Sequence, residues 1–275
     1  MKINKFKKVG LNKYKIYSDN GVLTIYEDVI LKYNLLYKKE IDDTLLEKIN
    51  MDNYKASIYD SALKYIGVRM RSEKEVNEYL LKKGFSLKDI DNTIEMLLSN
   101  GLLNDTNFAK SYINDKLYLT NNGPDKIKCE LIKLGVEESI IDTLLKEIDN
   151  KLLNDKLCKI IDKEIKLNSK LPIIKLKNKI INRCINLGYK IDSINEILSN
   201  INICSNSDIK KDYDKLYSKY KDKYDSYKLR SYLKGKLYQK GYTIDEINKV
   251  IDEWKKTKIL VYFFSSLEFD FWLFI

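Results

Sequence analysis

The chain of 275 residues is 44% apolar and carries 50 Lys and Arg against 40 Asp and Glu, a formal charge of +10. That balance sustains a folded core, excludes a disordered chain, and favours a partner bearing phosphates or an acidic groove. Histidine, the G-x-x-x-x-G-K-[ST] loop and the G-x-G-x-x-G turn are all absent, so the chain reads as a non-enzyme with no catalytic residue, cofactor or metal site.

The opening "MKINKFKKVG" has charges but no apolar stretch of a signal peptide behind it, so the cytoplasm is the expected compartment. The longest apolar run, "ILVYFF" at 259–264, is far shorter than the ~20 residues that cross a bilayer, and no membrane association is expected. Cys129, Cys158, Cys184 and Cys204 make no C-x-x-C pair and signal neither zinc nor disulfides. Residues 12–27, "NKYKIYSDNGVLTIYE", set two β-branched and aromatic runs around Asn20-Gly21, a dipeptide that accepts positive φ at both centres of a tight turn; a β-hairpin is predicted. From Asp42 the apolar spacing changes to three and four, as in Ala62, Leu63 and Ile66, so the remainder is predicted helical. Ser72 and Glu75 form a capping box for a helix that stops at Gly84, and Ser86 caps a second that runs to Asn100-Gly101. Asp105 is the predicted cap of a third, bearing Phe108, Ala109, Tyr112 and Ile113 on one face.

The outline of the Gly84 helix returns at Gly135, Gly188 and Gly241, at spacings of 51, 53 and 53 residues. Four residues before each glycine stand Leu80, Leu131, Cys184 and Leu237; one after stand Phe85, Val136, Tyr189 and Tyr242; six after stand Ile90, Ile141, Ile194 and Ile247. A unit of about 50 residues with three short helices hides its apolar faces only by stacking on its neighbours. The predicted fold is therefore mainly α, with tandem three-helix repeats in an elongated curved array and a small N-terminal β-hairpin. Its expected divisions are 1–50 (hairpin and short helix), repeats at 51–104, 105–152, 153–205 and 206–257, and an atypical apolar tail at 258–275. The tail, "ILVYFFSSLEFDFWLFI" after Lys258, reads as a frame-altered end or an added strand, and no function follows from it.

The residues "ALKYIGVRMRSEKEVNEYLLKKGF" (62–85), "GLLNDTNFAKSYI" (101–113) and "GPDKIKCELIKLGV" (123–136) resemble the RecX family. Its pattern runs through an Arg-x-Arg-Ser-x-x-Glu helix, an Asp-x-x-Phe-Ala helix and a Gly-x-x-x-Ile-x-x-x-Leu-x-x-x-Gly helix, matched here by Arg69, Arg71, Ser72, Glu75, Leu80, Gly84, Asp105, Phe108, Ala109, Gly123, Ile127, Leu131 and Gly135. The resemblance implies a regulator: repeat arrays of this family lie along the groove of the RecA filament on DNA and restrain its ATPase, strand-exchange and coprotease activities. It implies the RecA filament as partner for a monomer. The alternative is a helical-repeat protein that binds nucleic acid generally, without RecA.

Basic residues on the glycine-ended helices are the candidate partner and DNA contacts: Arg69, Arg71, Lys82 and Lys83, then Lys126, Lys128 and Lys133, then Lys177, Lys179 and Arg183, then Lys234, Lys236 and Lys240. Along one side of an array they would present a basic stripe; a solvated face of a Lys-rich chain accounts for any one of them equally well. For Arg69 and Arg71, an exposed ion pair with Asp60 or Glu73 is the competing role. Residues 210–240 hold 11 Lys and Arg, 4 Asp and Glu and 7 Tyr, a mixture suited to stacking on single-stranded DNA, although Tyr213, Tyr217, Tyr220, Tyr224 and Tyr227 at helical spacing fit a core stripe better. The acids at 41–43 and 136–139 suit helix first turns rather than a metal.

Overall fold

The computed structural model describes residues 1–201, 203 and 207–271, with side chains described through Thr257. The chain forms two compact units, Met1–Lys116 with Lys128–Glu147, and Leu117–Ile127 with the chain from Ile148 onward. Among the described residues no helix is long and apolar enough to cross a membrane.

In the first unit, strands β1 (Ile3–Lys8), β2 (Lys13–Ser18) and β3 (Gly21–Tyr26) form an antiparallel sheet in that order. The predicted hairpin is β2–β3, with two corrections. Strand β1 escaped prediction because its register shifts between Ile3 and Lys5, so its core-facing Ile3 and Phe6 lie three residues apart rather than two. The turn is also displaced by one residue: Ser18 pairs with Gly21, which leaves Asp19 and Asn20 as the central pair. Only Gly21 takes positive φ there, at 121°, so the glycine closes the turn instead of sitting within it.

Helix α1 (Glu27–Lys32) and a 3₁₀ turn lead into α2 (Asp43–Ile66), whose cap Asp42 accepts the Leu45 N–H at 2.7 Å. The long α2 serves two cores. Its first half contributes Ile49 to a cluster with Ile16, Ile25, Val29 and Ile30, and its second half contributes Ile58 and Ala62 to the core of the first repeat. That core is completed by Val76 and Leu80 from α3 (Glu73–Lys82) and Ile90, Ile94 and Leu97 from α4 (Leu87–Ser99). Next come α5 (Asp105–Leu119), α6 (Pro124–Lys133) and α7 (Glu138–Lys146). Asn104, not Asp105, caps α5: its Oδ1 accepts the Asn107 N–H at 2.9 Å. Asp105 instead accepts the Glu73 N–H at 2.9 Å and so ties the start of α3 to the start of α5.

The second unit holds α8 (Asn150–Leu167), α9 (Ile173–Asn186) and α10 (Ile191–Asn200) around Leu157, Ile161, Leu176, Ile180, Cys184 and Ile194. It then holds α11 (Ile209–Tyr220), α12 (Ser226–Lys240) and α13 (Ile244–Phe271) around Tyr213, Leu229, Leu233, Leu237, Tyr242, Ile247 and Ile251. The backbone of α13 stays helical to Phe271, not a strand as one expectation had it; the side chains from 258 lie outside the described residues.

All four glycine stops are one motif. At Gly84, Gly135, Gly188 and Gly241, φ is 85°, 88°, 86° and 98°, a left-handed conformation that costs a Cβ-bearing residue about 1–2 kcal/mol. The residue after each glycine donates its N–H to the carbonyl five residues back: Phe85 to Leu80, Val136 to Leu131, Tyr189 to Cys184 and Tyr242 to Leu237, at 3.1–3.4 Å. Each glycine N–H donates to the carbonyl three residues before it, at 2.8–3.0 Å. These paired bonds satisfy the last free carbonyls of the helix. They also turn the following chain back over the core, where Ile90, Ile141, Ile194 and Ile247 are each at most 2% exposed.

The glycine-ended helices also meet end to end. In the first unit, Ser72 at the start of α3 donates its hydroxyl to Leu134 O at 2.6 Å, and Lys74 Nζ donates to Lys133 O at 3.0 Å. In the second unit, Gly123 N donates to Leu187 O at 2.6 Å and Asp125 N to Gly188 O at 3.1 Å, joining the start of α6 to the end of α9. Ile174 N likewise donates to Gly241 O at 3.1 Å, joining α9 to α12. Helix starts present free N–H groups and helix ends present free carbonyls; the α6–α9 and α9–α12 joints pair the two directly, whereas at the α3–α6 joint side-chain donors satisfy the carbonyls.

Candidate functional site

The candidate cations fall into two groups: those that the fold consumes and those that it leaves to solvent. Arg69 and Arg71 belong to the first. Their partner is neither Asp60 nor Glu73 but Glu75, the capping-box acid. Arg69 Nη2 lies 2.6 Å and Arg71 Nη1 3.2 Å from Glu75 Oε1, while Glu75 Oε2 accepts the Ser72 N–H at 3.2 Å. Burial would raise the Glu75 carboxyl, but bonds from Arg69, the Ser72 N–H and Arg71 outweigh it and hold the group below its usual range. Asp60 is engaged elsewhere, by Lys64 at 2.8 Å, Asn12 at 3.0 Å and Tyr26 at 3.2 Å.

Arg71 also sits over one ring of an aromatic pair. Its guanidinium carbon is 4.1 Å from the Tyr65 ring centroid, and Tyr65 stacks on Tyr79 at 4.0 Å with 3° between the planes. Lys83 Nζ lies 5.2 Å from the Tyr79 ring, which gives the order Arg71, Tyr65, Tyr79, Lys83. Tyr65 and Tyr79 were not assigned this role from sequence. Their signal was available: Arg71 is six residues from Tyr65 across the turn between α2 and α3, and Tyr79 and Lys83 are one helical turn apart.

In the first unit, Lys128 is fully committed, at 2.7 Å from Glu138 and 2.6 Å from Asp142; hydrogen bonds to Asp142 and then Glu138 raise its pKa well above the usual lysine value. Lys82 and Lys133 are exposed, and their side chains have no ion pair or hydrogen bond among the described residues. In the second unit, Lys126 packs at the joint beneath Gly188. On α9, Lys179 and Arg183 lie on the flank toward α8, where Lys179 Nζ donates to Asn168 Oδ1 at 2.6 Å and Arg183 Nε is 3.9 Å from Glu164. Lys177, one position after buried Leu176 rather than one before a buried residue, lies on the other flank and is unpaired among the described residues. Lys240 is bound to Asp212 at 2.8 Å, and Asp212 also accepts the Tyr242 hydroxyl at 2.9 Å. Burial opposes the Asp212 anion, yet Lys240 and Tyr242 together hold its pKa down. Lys236 Nζ sits 5.5 Å from the Tyr232 ring, and Lys234 is half-buried without an ion pair among the described residues.

The acids weighed as a metal site have structural duties. Asp42 caps α2, Asp43 lies in its first turn, and Glu138 pairs with Lys128. Among the described residues no group of three or more His, Cys, Asp or Glu is placed to hold a metal ion.

Family models for RecX match twice: the first three-helix domain over residues 59–97 and the second over 104–145. "Regulatory protein RecX" of Streptococcus uberis is 30% identical over 260 residues, covering 92% of this chain and 99% of that protein. The protein of the same name from Bacillus cytotoxicus is 30% identical over 247 residues, covering 86% and 90%. A crystal structure of regulatory protein RecX superposes with a TM-score of 0.62 at 22% identity, over 72% of this chain and 98% of the other. That of RecX from Lactobacillus salivarius gives 0.51 at 27% identity, over 53% and 95%.

Proposed function

The chain belongs to the RecX family of regulatory proteins, and on that premise we propose that it is a negative regulator of RecA. It binds in the groove of the RecA–DNA filament, in the cytoplasm, and restrains ATPase, strand-exchange and coprotease activity. The observation that carries the reading is the repeated joint: one glycine-ended helix used four times suits a target that is itself built by repetition. Each copy brings a cation without an ion pair among the described residues, namely Lys82, Lys133, Lys177 and Lys234. These are the positions from which phosphate or carboxylate contacts are made.

Inhibition then works by occupancy. Repeats seated on successive protomers hinder the subunit motions coupled to ATP turnover, and the protein's own residues perform no covalent step. The test is RecA ATPase on a saturating polynucleotide, with this protein too dilute to coat free strand. Turnover slows if the proposal holds. Unchanged turnover, in a preparation that still binds oligonucleotide, would select the alternative of a general nucleic-acid-binding repeat protein.

A further inference from the structure

The tyrosines of residues 210–240 do not form one stripe. Tyr213 is 4% exposed in the fourth core, and Tyr217 packs on Trp254 at 4.3 Å; these two follow the core expectation. Tyr220 also packs against that core, whereas Tyr224 and Tyr227 diverge from the expectation. Tyr224 and Tyr232 approach at 4.9 Å, Tyr220 meets Tyr232 edge-on at 4.8 Å, and Tyr227 stands 84% exposed. Tyr224, Tyr227 and Tyr232 line an open groove of about 490 Å³ on the outer side of α12, together with Lys228, Gly235 and Lys236.

Gly235 is the informative residue. It lies inside a fifteen-residue helix, where glycine costs about 1 kcal/mol relative to alanine. Among the described residues nothing requires its small size, since a Cβ there would meet no atom within 4 Å. Its effect is to lower the groove floor between the rings, so that a flat group approaches the helix backbone. The cations at the rim match an anion: Lys228 is 74% exposed at 3.6 Å from Asp225, and Lys236 rests over Tyr232.

We propose that this groove is a stacking site for the bases of an unpaired nucleic-acid strand, with Lys228 and Lys236 receiving its phosphates. Aromatic faces with interleaved cations bind single strands by stacking and charge together, tolerate any base, and offer little to a duplex whose base faces are covered. The site stands independently of the RecA reading, because it needs no filament.

The test is fluorescence anisotropy of a labelled twelve-residue oligothymidylate with the full chain and two variants. Tyr227→Ala removes the most exposed ring. Gly235→Leu fills the groove while raising helix propensity, so it retains or gains thermal stability. Each is expected to weaken binding about fivefold or more, the loss of one stacked base, and an abasic strand of equal length is expected to bind the wild-type chain correspondingly weakly. Equal affinity for the abasic strand, or wild-type affinity in both variants with unchanged melting, overturns the proposal. Displacement by thymidine monophosphate at the same concentration as the strand overturns it in favour of a free-nucleotide site.

Discussion

Substituting alanine at Gly84 and at Gly188 tests the end-to-end joint against the glycine stop itself. Both residues have nearly the same φ, 85° and 86°, so both variants incur the left-handed strain of about 1–2 kcal/mol. They differ in surroundings. A Cβ at Gly84 meets nothing within 4 Å, whereas one at Gly188 drives into the Lys126 backbone N and lies 2.5 Å from the Lys126 Cβ. Backbone cannot swing aside as a lysine tip can, so the joint must open. That loosens the bonds from Gly123 N to Leu187 O and from Asp125 N to Gly188 O, each worth about 1 kcal/mol net. Gly188→Ala is therefore expected to cost about 3–4 kcal/mol and Gly84→Ala about 1–2 kcal/mol. Urea unfolding followed by circular dichroism measures both, with midpoints compared at equal slope. Equal losses in the two variants would refute the joint as an energetic element.

Ser72→Ala removes both the α3 cap and the hydroxyl bond to Leu134 O; a loss of about 1–2 kcal/mol in the same urea assay is expected. Glu75→Gln alters acid stability. Because the folded Glu75 pKa is depressed, its contribution is complete above the ordinary value of 4.5 and is lost as pH falls through the folded value. Urea midpoints between pH 6 and pH 3 should fall less steeply in the variant than in the wild type. Lys82→Glu with Lys177→Glu should weaken RecA inhibition and flatten its dependence on salt while leaving melting unchanged. Lys128→Glu, which sets an acid against Glu138 and Asp142, should instead lower the melting temperature. Inhibition insensitive to the first pair would remove those lysines from the contact.

Local signals were legible where one residue type has one physical use. The Ser72–Glu75 box and the four glycine stops came from short-range chemistry that any context preserves, and the residues counted from each glycine land in the core because the helix period fixes them. The errors arose where a neighbour in space decides. Strand β1 hid behind its bulge, and the hairpin turn shifted because Gly21 serves the turn equally well one place later. Asp105 reads as a cap in sequence, but the Glu73 N–H claims its carboxylate while Asn104 does the capping. Of the candidate contacts, Lys128, Lys240, Arg69 and Arg71 look identical in sequence to Lys82 and Lys177. Only the placement of Glu138, Asp142, Asp212 and Glu75 separates the spent charges from those unpaired among the described residues. Likewise, a tyrosine recurring at helical spacing reads as core, and the division of Tyr213 from Tyr227 needs the third dimension.

The joint between glycine-ended helices is directional, with a donor face at one pole of the unit and an acceptor face at the other. The α6–α9 and α9–α12 joints thus reuse one backbone coupling between different sequences, as coupled railway wagons do. The Asp225 carboxylate accepts the Lys228 N–H and so caps the start of α12, while a Cβ at Gly84 would meet no atom within 4 Å. A coupling written in backbone groups places little demand on side-chain identity, so the sequences on either side of it can diverge while the coupling persists.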